Sequence, residues 1–409
     1  MKKNRKWISI FLTASMIFSL SACNGEEEPV SSDDPAATAA TDENGTPVTD
    51  AEGNYVPAEP VEEEPLKVGF IYNGEVSDGS TNAIFESARE QLEKTLAVET
   101  CYIENVLVSD VPVAVRELQD NECDIIISCS PRFANSITKE SLASTETYYI
   151  NFGGETSNAH CSSFGGELYQ TANVCGIAGA YNTESNVLGI VADPSSYNAY
   201  GIINAYVLGA KEIWGAQTDV RLNWVWSNDE EKIKAAVDDL VSQGSDVIMC
   251  YTESDTAAKY CEEIGVKVIA NSCNLPEIAP ENYITGFFFN ASTFIVDTVR
   301  AIQAENYVSS VHSGGIAAGT ARLVDFSPNS REGTATIASK LYEYVKSGQA
   351  HVFTGEIKNR DFKTMVNKGQ QLQYSSIKEI DWLVLGITNV VSFTTVTESP
   401  VPSDLVIKG

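Results

Sequence analysis

At 409 residues the chain is longer than one hydrophobic core usually supports, and with 43% hydrophobic residues and 28 glycines it reads as a globular protein of two lobes. Acidic residues outnumber basic ones 56 to 27, for a formal net charge of −29. Such a surface repels phosphate backbones, so nucleic-acid binding and attraction to anionic lipid headgroups are both poor hypotheses.

Lys2, Lys3, Arg5 and Lys6 precede an apolar run over 7–20 that ends in Leu20-Ser21-Ala22-Cys23. A charged start followed by a short apolar stretch predicts a signal peptide over 1–22, and the run is too short for a stable transmembrane helix. Leu-Ser-Ala-Cys resembles the lipobox of bacterial lipoproteins, which implies cleavage before Cys23 and a diacylglyceryl group on its thiol. Two acyl chains hold a protein on a bilayer where one is marginal. The alternative is an ordinary secretory signal with a chance cysteine. Residues 24–66 then carry thirteen acidic side chains and no basic one. Self-repelling and almost free of aromatics, the segment 23–65 is expected to be a disordered tether. Cation binding by residues 26–28 and 62–64 is the alternative, for which the segment offers no fixed geometry.

The folded part is expected to start with a buried strand at 66–72, followed by a loop containing Asp78-Gly79-Ser80. A helix comes next, with Ile84, Ala88, Leu92 and Leu96 on one face. Strands are predicted at 123–128 and 148–152, and helices at 111–120 and 132–142. A second series opens at 186–191, with further strands at 220–226, 246–251 and 266–270 and helices at 197–208, 230–243 and 255–264. Strands alternating with helices of ten to fifteen residues predict an α/β protein of two doubly wound parallel-sheet lobes with a ligand cleft between them. The first lobe is expected over 66–182, completed by part of 288–330. The second is expected over 183–287, completed by part of 331–390, and 391–409 forms a C-terminal segment.

Catalytic patterns are sparse. The glycines of 314–319 lack the Lys and Ser/Thr of a phosphate loop and read as close-packing turn residues. Neither a Gly-x-Ser-x-Gly elbow nor a His-Glu-x-x-His helix occurs. His160 and Cys161 are neighbours, which in an extended segment point to opposite faces, and His312 and His351 have no nearby acidic or cysteine partner. Three scattered histidines give no metal-ligand spacing. No enzyme activity, cofactor or metal is expected. Cys123, Cys129, Cys250 and Cys273 lie in or beside apolar runs and read as small buried hydrophobes, with disulfides as the alternative.

Polar and aromatic residues at strand ends remain, where a doubly wound sheet presents its ligand. They are Tyr72 with the loop 73–82, Phe133, Phe152, Phe164, Trp224 and Trp226, then 251–254 and 271–274. Aromatics at such places also serve as core, and Asn or Ser as caps and turns.

The order of segments resembles the basic membrane protein family of substrate-binding lipoproteins, which includes purine nucleoside receptors of ABC transporters. The likeness runs from Lys67-Val68-Gly69-Phe70-Ile71-Tyr72 through Asp78-Gly79-Ser80 and Arg116-Glu117-Leu118. It continues in Val174-Cys175-Gly176-Ile177-Ala178-Gly179-Ala180, Asn204-Ala205-Tyr206-Val207-Leu208-Gly209-Ala210 and Gln243-Gly244-Ser245-Asp246-Val247-Ile248. It ends with Phe326-Ser327-Pro328, Phe353-Thr354-Gly355-Glu356-Ile357-Lys358 and Asp381-Trp382. The resemblance implies the type I periplasmic-binding fold, in which two lobes close on a solute, with a base held between aromatics from opposite lobes. By position the first-lobe aromatic falls on Thr81, a departure, and Asn82 matches the next family position. The second-lobe aromatic falls near Trp226. The family's acidic positions fall within 271–274, where no carboxylate occurs.

The cleft is thus expected to be lined by Tyr72, Thr81, Asn82, Phe133, Phe152, Trp226, Thr252, Glu253, Asn271 and Asn274. Trp226 would stack on a nucleoside, nucleobase or similar planar molecule, and Glu253 would accept hydrogen bonds from its hydroxyl or amine groups. The reading is of a lipid-anchored protein on the extracytoplasmic face of the cell membrane that delivers a small molecule to an ABC permease. A sensory receptor lipoprotein signalling to a membrane partner is the alternative.

Overall fold

A computed structural model describes residues 49, 64–226, 229–394 and 405–409. The expected signal peptide, Cys23, most of the tether, Ser227 and Asn228 lie outside the described residues.

The first run of elements is β1 (Leu66–Ile71), α1 (Ser80–Thr95), β2 (Val98–Ile103), α2 (Val111–Asp120), β3 (Ile125–Ser128), α3 (Ala134–Ala143), β4 (Tyr148–Phe152), β5 (Cys161–Gly166) and α4 (Tyr169–Asn182). The second is β6 (Val187–Ala192), α5 (Ala199–Trp214), β7 (Asp219–Trp224), α6 (Glu230–Ser242), β8 (Val247–Tyr251), α7 (Thr256–Glu263), β9 (Lys267–Asn271), α8 (Leu275–Ile278) and β10 (Tyr283–Phe289). Local chemistry explains the elements. β3, Ile-Ile-Ile-Ser, is buried at every position, as a parallel strand covered on both faces must be. α2 has a proline in its first turn and buries Val111, Ala114, Val115 and Leu118 on one side. At the start of α6 the Asp229 carboxylate accepts from the Lys232 amide at 3.2 Å, with Glu230 and Glu231 in the first turn.

Later elements finish both sheets. α9 (Ala291–Gln303) packs on α1, β11 (Val311–Gly314) pairs with β5, and β12 (Ala321–Leu323) pairs antiparallel with β10. α10 (Thr334–Lys346) packs on α4; β13 (Ile357–Lys358) and β14 (Thr364–Val366) form a hairpin, followed by α11 (Tyr374–Lys378). β15 (Ile387–Ser392) pairs with β7, and β16 (Ile407–Lys408) pairs with β2. The sheets have the orders β11-β5-β4-β3-β1-β2-β16 and β12-β10-β9-β8-β6-β7-β15, and their inner strands are parallel. This is the two-lobed, mostly parallel α/β architecture expected from the alternating pattern. α4, which the expected boundary at 182 assigns to the first lobe, packs on α5 and against β10 of the second. The reason is its all-round apolar surface, which needs cover on every side.

In each sheet the chain first steps outward, β1 to β2 and β6 to β7, and then reverses, which sets a switch point between β1 and β3 and between β6 and β8. Loops leaving the carboxyl ends of those four strands splay apart and leave a crevice, the place where open α/β sheets bind ligands.

Candidate functional site

The four crevice loops meet across the lobes. After β3, Arg132 forms an ion pair with Asp193, which follows β6 and is wholly buried. The Arg132 Nε lies 3.6 Å from Glu253 Oε2, after β8. The same carboxylate oxygen accepts from the Asn73 side-chain amide, after β1, and from the Ser130 hydroxyl at 3.4 Å. Asp193 Oδ1 also accepts from the Ser195 amide at 2.8 Å and its hydroxyl at 2.6 Å, which fixes the carboxylate from within its own loop. Burial pushes the Glu253 carboxyl up to about 7; Arg132 opposes the shift and Asp193 adds to it. Near neutral pH this group therefore exists in both forms and can donate or accept a hydrogen bond.

Close approach of the lobes demands small residues. Gly79 has φ +72°, and a Cβ there would run into the Asp255 carboxylate of the other lobe. A Cβ on Gly165 would occupy the place of the Tyr197 hydroxyl, which shares a 2.6 Å hydrogen bond with Tyr374.

Beside the charged network lies an aromatic wall. Phe152, at the end of β4, has its ring centre 5.1 Å from Phe85, 5.4 Å from Phe164, 5.5 Å from Tyr197 and 5.4 Å from Phe289. Tyr197 and Phe289 come from the second lobe, so the wall closes across the crevice. A narrow cavity of about 20 Å³, room for about one water molecule, is lined by Thr81, Ile84, Phe85, Pro131, Phe152 and Leu168 on one side. Ser196, Tyr197, Tyr251, Glu253, Asn271 and Phe289 line the other. A larger opening of about 250 Å³ adjoins it at Glu253 and is bordered by Asn73, Asn82, Asn105, Arg132, Phe133, Glu230, Ser254 and Thr256, among others. Three buried polar atoms in these walls, Asn73 Oδ1, Asn82 Oδ1 and Ser196 Oγ, have no hydrogen-bond partner among the described residues. Native proteins seldom leave such atoms unsatisfied, so a polar ligand or water is called for.

Of the residues singled out in the sequence, Thr81, Phe152, Glu253 and Asn271 line the first cavity, and Asn82, Phe133 and Glu253 the second. Four line neither. Tyr72 is fully buried; its hydroxyl donates to Glu86 at 3.1 Å and its ring lies against Phe70 and Tyr102, because its strand is covered on both faces. Thr252 turns its hydroxyl back onto the Ser254 carbonyl at 2.7 Å. Asn274 accepts from the Ser272 hydroxyl at 2.7 Å at the head of α8. Trp226 stands two residues beyond β7, which lies on the far side of β6 from the crevice, and its neighbour Trp224 packs on Tyr200. The second-lobe aromatics that line the cavity are Tyr197, Tyr251 and Phe289, and Tyr197 follows β6 itself. Its signal was present in the sequence: Asp193-Pro194-Ser195-Ser196-Tyr197 follows the opening strand of the second series, as the loop after Tyr72 follows that of the first. Arg132, within a predicted helix, carried no such signal.

Among the described residues no group of His, Cys, Asp and Glu is arranged to hold a metal ion, and no helix is long and apolar enough to cross a membrane.

Comparison with known proteins agrees with this architecture. The profile of the family described as ABC transporter substrate-binding protein PnrA-like matches residues 66–349. A purine-binding protein of Brucella abortus is 23% identical over 331 residues, covering 80% of this chain and 93% of its own. A Haloferax volcanii protein named as an ABC transporter glucose-binding protein is 21% identical over 299 residues, 72% of this chain and 76% of its own. Among solved structures, an ABC transporter solute-binding protein of Aeropyrum pernix superposes with a TM-score of 0.61 at 15% identity. The match covers 77% of this chain and 96% of that one. A likeness at that identity speaks for the fold, here that of type I periplasmic binding proteins.

Proposed function

The chain belongs to the family of PnrA-like ABC transporter substrate-binding proteins, and from that premise we propose that it captures a nucleoside, a nucleobase or a similar planar molecule between its lobes and passes it to its permease. The observation that carries this reading is the make-up of the crevice, an aromatic wall joined to a buried, near-neutral carboxylate and three polar atoms without partners among the described residues. Once the lobes part to admit it, a flat heterocycle can stack on such a wall, and its ring nitrogens, amine or sugar hydroxyls meet the polar end. Thr81 and Asn271 flank the same space with small polar side chains. Glu253, from the end of β8, supplies a carboxylate where the segment 271–274 has none. The purine-binding Brucella abortus relative supports the choice of ligand class. No bond of the ligand is broken in this reading; the protein binds and releases.

The same proposal places the protein on the extracytoplasmic face of the membrane with Cys23 as its acylated anchor, supported by the order of basic residues, apolar run, small residues and cysteine. Cys23→Ser should abolish lipid labelling and release the protein from membranes; unchanged fractionation would contradict the anchor.

Titration calorimetry with adenosine, guanosine, hypoxanthine and glucose tests the ligand class. Saturable binding of one of the first three, with glucose at least tenfold weaker, a gap of about 1.4 kcal/mol, is expected. Glucose binding more tightly than all three would overturn the proposal.

A further inference from the structure

Far along the chain from the cleft residues, the β13–β14 hairpin presents a feature that solute capture does not use. Phe362, at its tip, is 72% exposed and has φ +64°. That left-handed conformation suits glycine and strains a bulky side chain. The tip is held firmly nonetheless. The Asn359 side chain accepts from the amides of Asp361 at 3.1 Å and Lys363 at 2.9 Å, and the Asn359 amide donates to the Lys363 carbonyl at 3.0 Å. At its base Ile357 and Val366 are buried, and the Arg360 amide donates to the Leu383 carbonyl at 3.0 Å. A costly conformation thus keeps a large aromatic ring in solvent.

The surroundings of that ring differ from the rest of the chain. Residues 356–370 carry four basic and two acidic side chains in a protein of net charge −29. Arg360, Lys363 and Lys368 are exposed, and among the described residues none forms an ion pair with them. A rigid aromatic tip flanked in sequence by Arg360 and Lys363, with Asp361 between as its one acid, matches the chemistry of a bilayer surface, whose anionic headgroups attract the charges while the acyl boundary receives the ring. The acidic surface elsewhere is repelled by the same headgroups, so the hairpin is favoured as the point of approach.

We propose that the 359–363 tip is a membrane contact, in which Phe362 enters the interface of an anionic bilayer and Arg360, Lys363 and Lys368 pair with its phosphates, setting how the tethered protein faces the membrane. One ring and three cations bind weakly alone. Tethering raises their effective concentration at the surface, which makes a weak contact sufficient to orient the molecule. The proposal rests on the reading that the N-terminal segment keeps the chain at a membrane.

The test reconstitutes the full chain on vesicles of phosphatidylcholine and on vesicles of phosphatidylcholine mixed with phosphatidylglycerol, and measures co-flotation and amide hydrogen exchange. Exchange over 359–364 should slow by at least about threefold on the mixed vesicles at low salt, and the protection should vanish in high salt. Phe362→Gly, which relieves the backbone strain and so should fold, must remove the protection, as must Lys363→Glu, with exchange at the cleft loops unchanged. Co-flotation with equal tip exchange on both vesicle types, or protection that survives Phe362→Gly, would overturn the contact while leaving the anchor intact. Failure to co-float with either would overturn both. Protection that appears only with membranes containing the permease would reassign the tip to a protein partner and also overturn it.

Discussion

Two neighbouring regions of the cleft are assembled by different means. The wall of Phe85, Phe152, Phe164 and Phe289 is a set of ring contacts between 5.1 and 6.0 Å, with one partner drawn from the second lobe. The other region, Asn73, Ser130, Arg132, Asp193 and Glu253, consists of polar and charged groups from four loops, joined across the lobes. Ring packing is weakly directional and insensitive to protonation, so the wall supplies stability that should not depend on pH. The charged region is directional and contains a carboxyl raised to about 7, so its contacts across the lobes are expected to respond to pH.

Phe152→Ala strikes the wall hardest. The ring is nearly buried among four others, and removing it should cost about 3 to 5 kcal/mol of stability in denaturant titrations. A loss below about 1 kcal/mol would mean that the wall is not part of the core.

The charged region should respond to pH where the wall does not. Glu253 has its folded value raised to about 7 from an ordinary 4.5. Between those values the folded protein holds a proton that the unfolded chain has lost. Stability therefore falls as pH rises from about 4.5 to 7, by up to about 3 kcal/mol from this group, and the penalty stays constant above. Glu253→Gln should flatten that fall in melts between pH 5 and 8, whereas Phe152→Leu should leave it in place. An equal slope in wild type and Glu253→Gln would remove Glu253 from the pH response.

Arg132→Ala removes the guanidinium facing the wholly buried Asp193. Because the Arg132 side chain is 22% exposed, the cost should sit near the lower end for a buried pair, about 2 to 3 kcal/mol. Adding Asp193→Asn should recover part of it; no recovery would place the cost in lost packing. Trp226→Ala, outside both regions, should change ligand affinity less than twofold by calorimetry. A tenfold loss would return Trp226 to the site and break the comparison.

Much of the fold was legible because apolar runs and helical periodicity are local. The runs at 148–152 and 111–120 coincide with β4 and α2, and both lobe openings fall within one residue of β1 and β6. The site was legible only in part, since which strand ends face the crevice depends on strand order, and order is not written in local pattern. Phe152 ends and Glu253 follows a strand whose neighbours bring it to the cleft; Trp226 follows an equally convincing strand that lies on the other side of β6. Tyr72 illustrates a second limit, because a strand-end aromatic and a core aromatic look alike until the covering helix is placed. Arg132 became visible only through partners more than sixty residues away.

The most direct test of the cleft as the solute site is calorimetric titration of adenosine and guanosine into wild type, Tyr197→Phe and Tyr197→Ala. Tyr197 comes from the second lobe, lines the cavity and faces Phe152. The bound nucleoside should lose at least tenfold in affinity with Tyr197→Ala, about 1.4 kcal/mol, while Tyr197→Phe, which keeps the ring, should stay within about threefold of wild type. Undiminished affinity in folded Tyr197→Ala would contradict the account and put the ligand elsewhere.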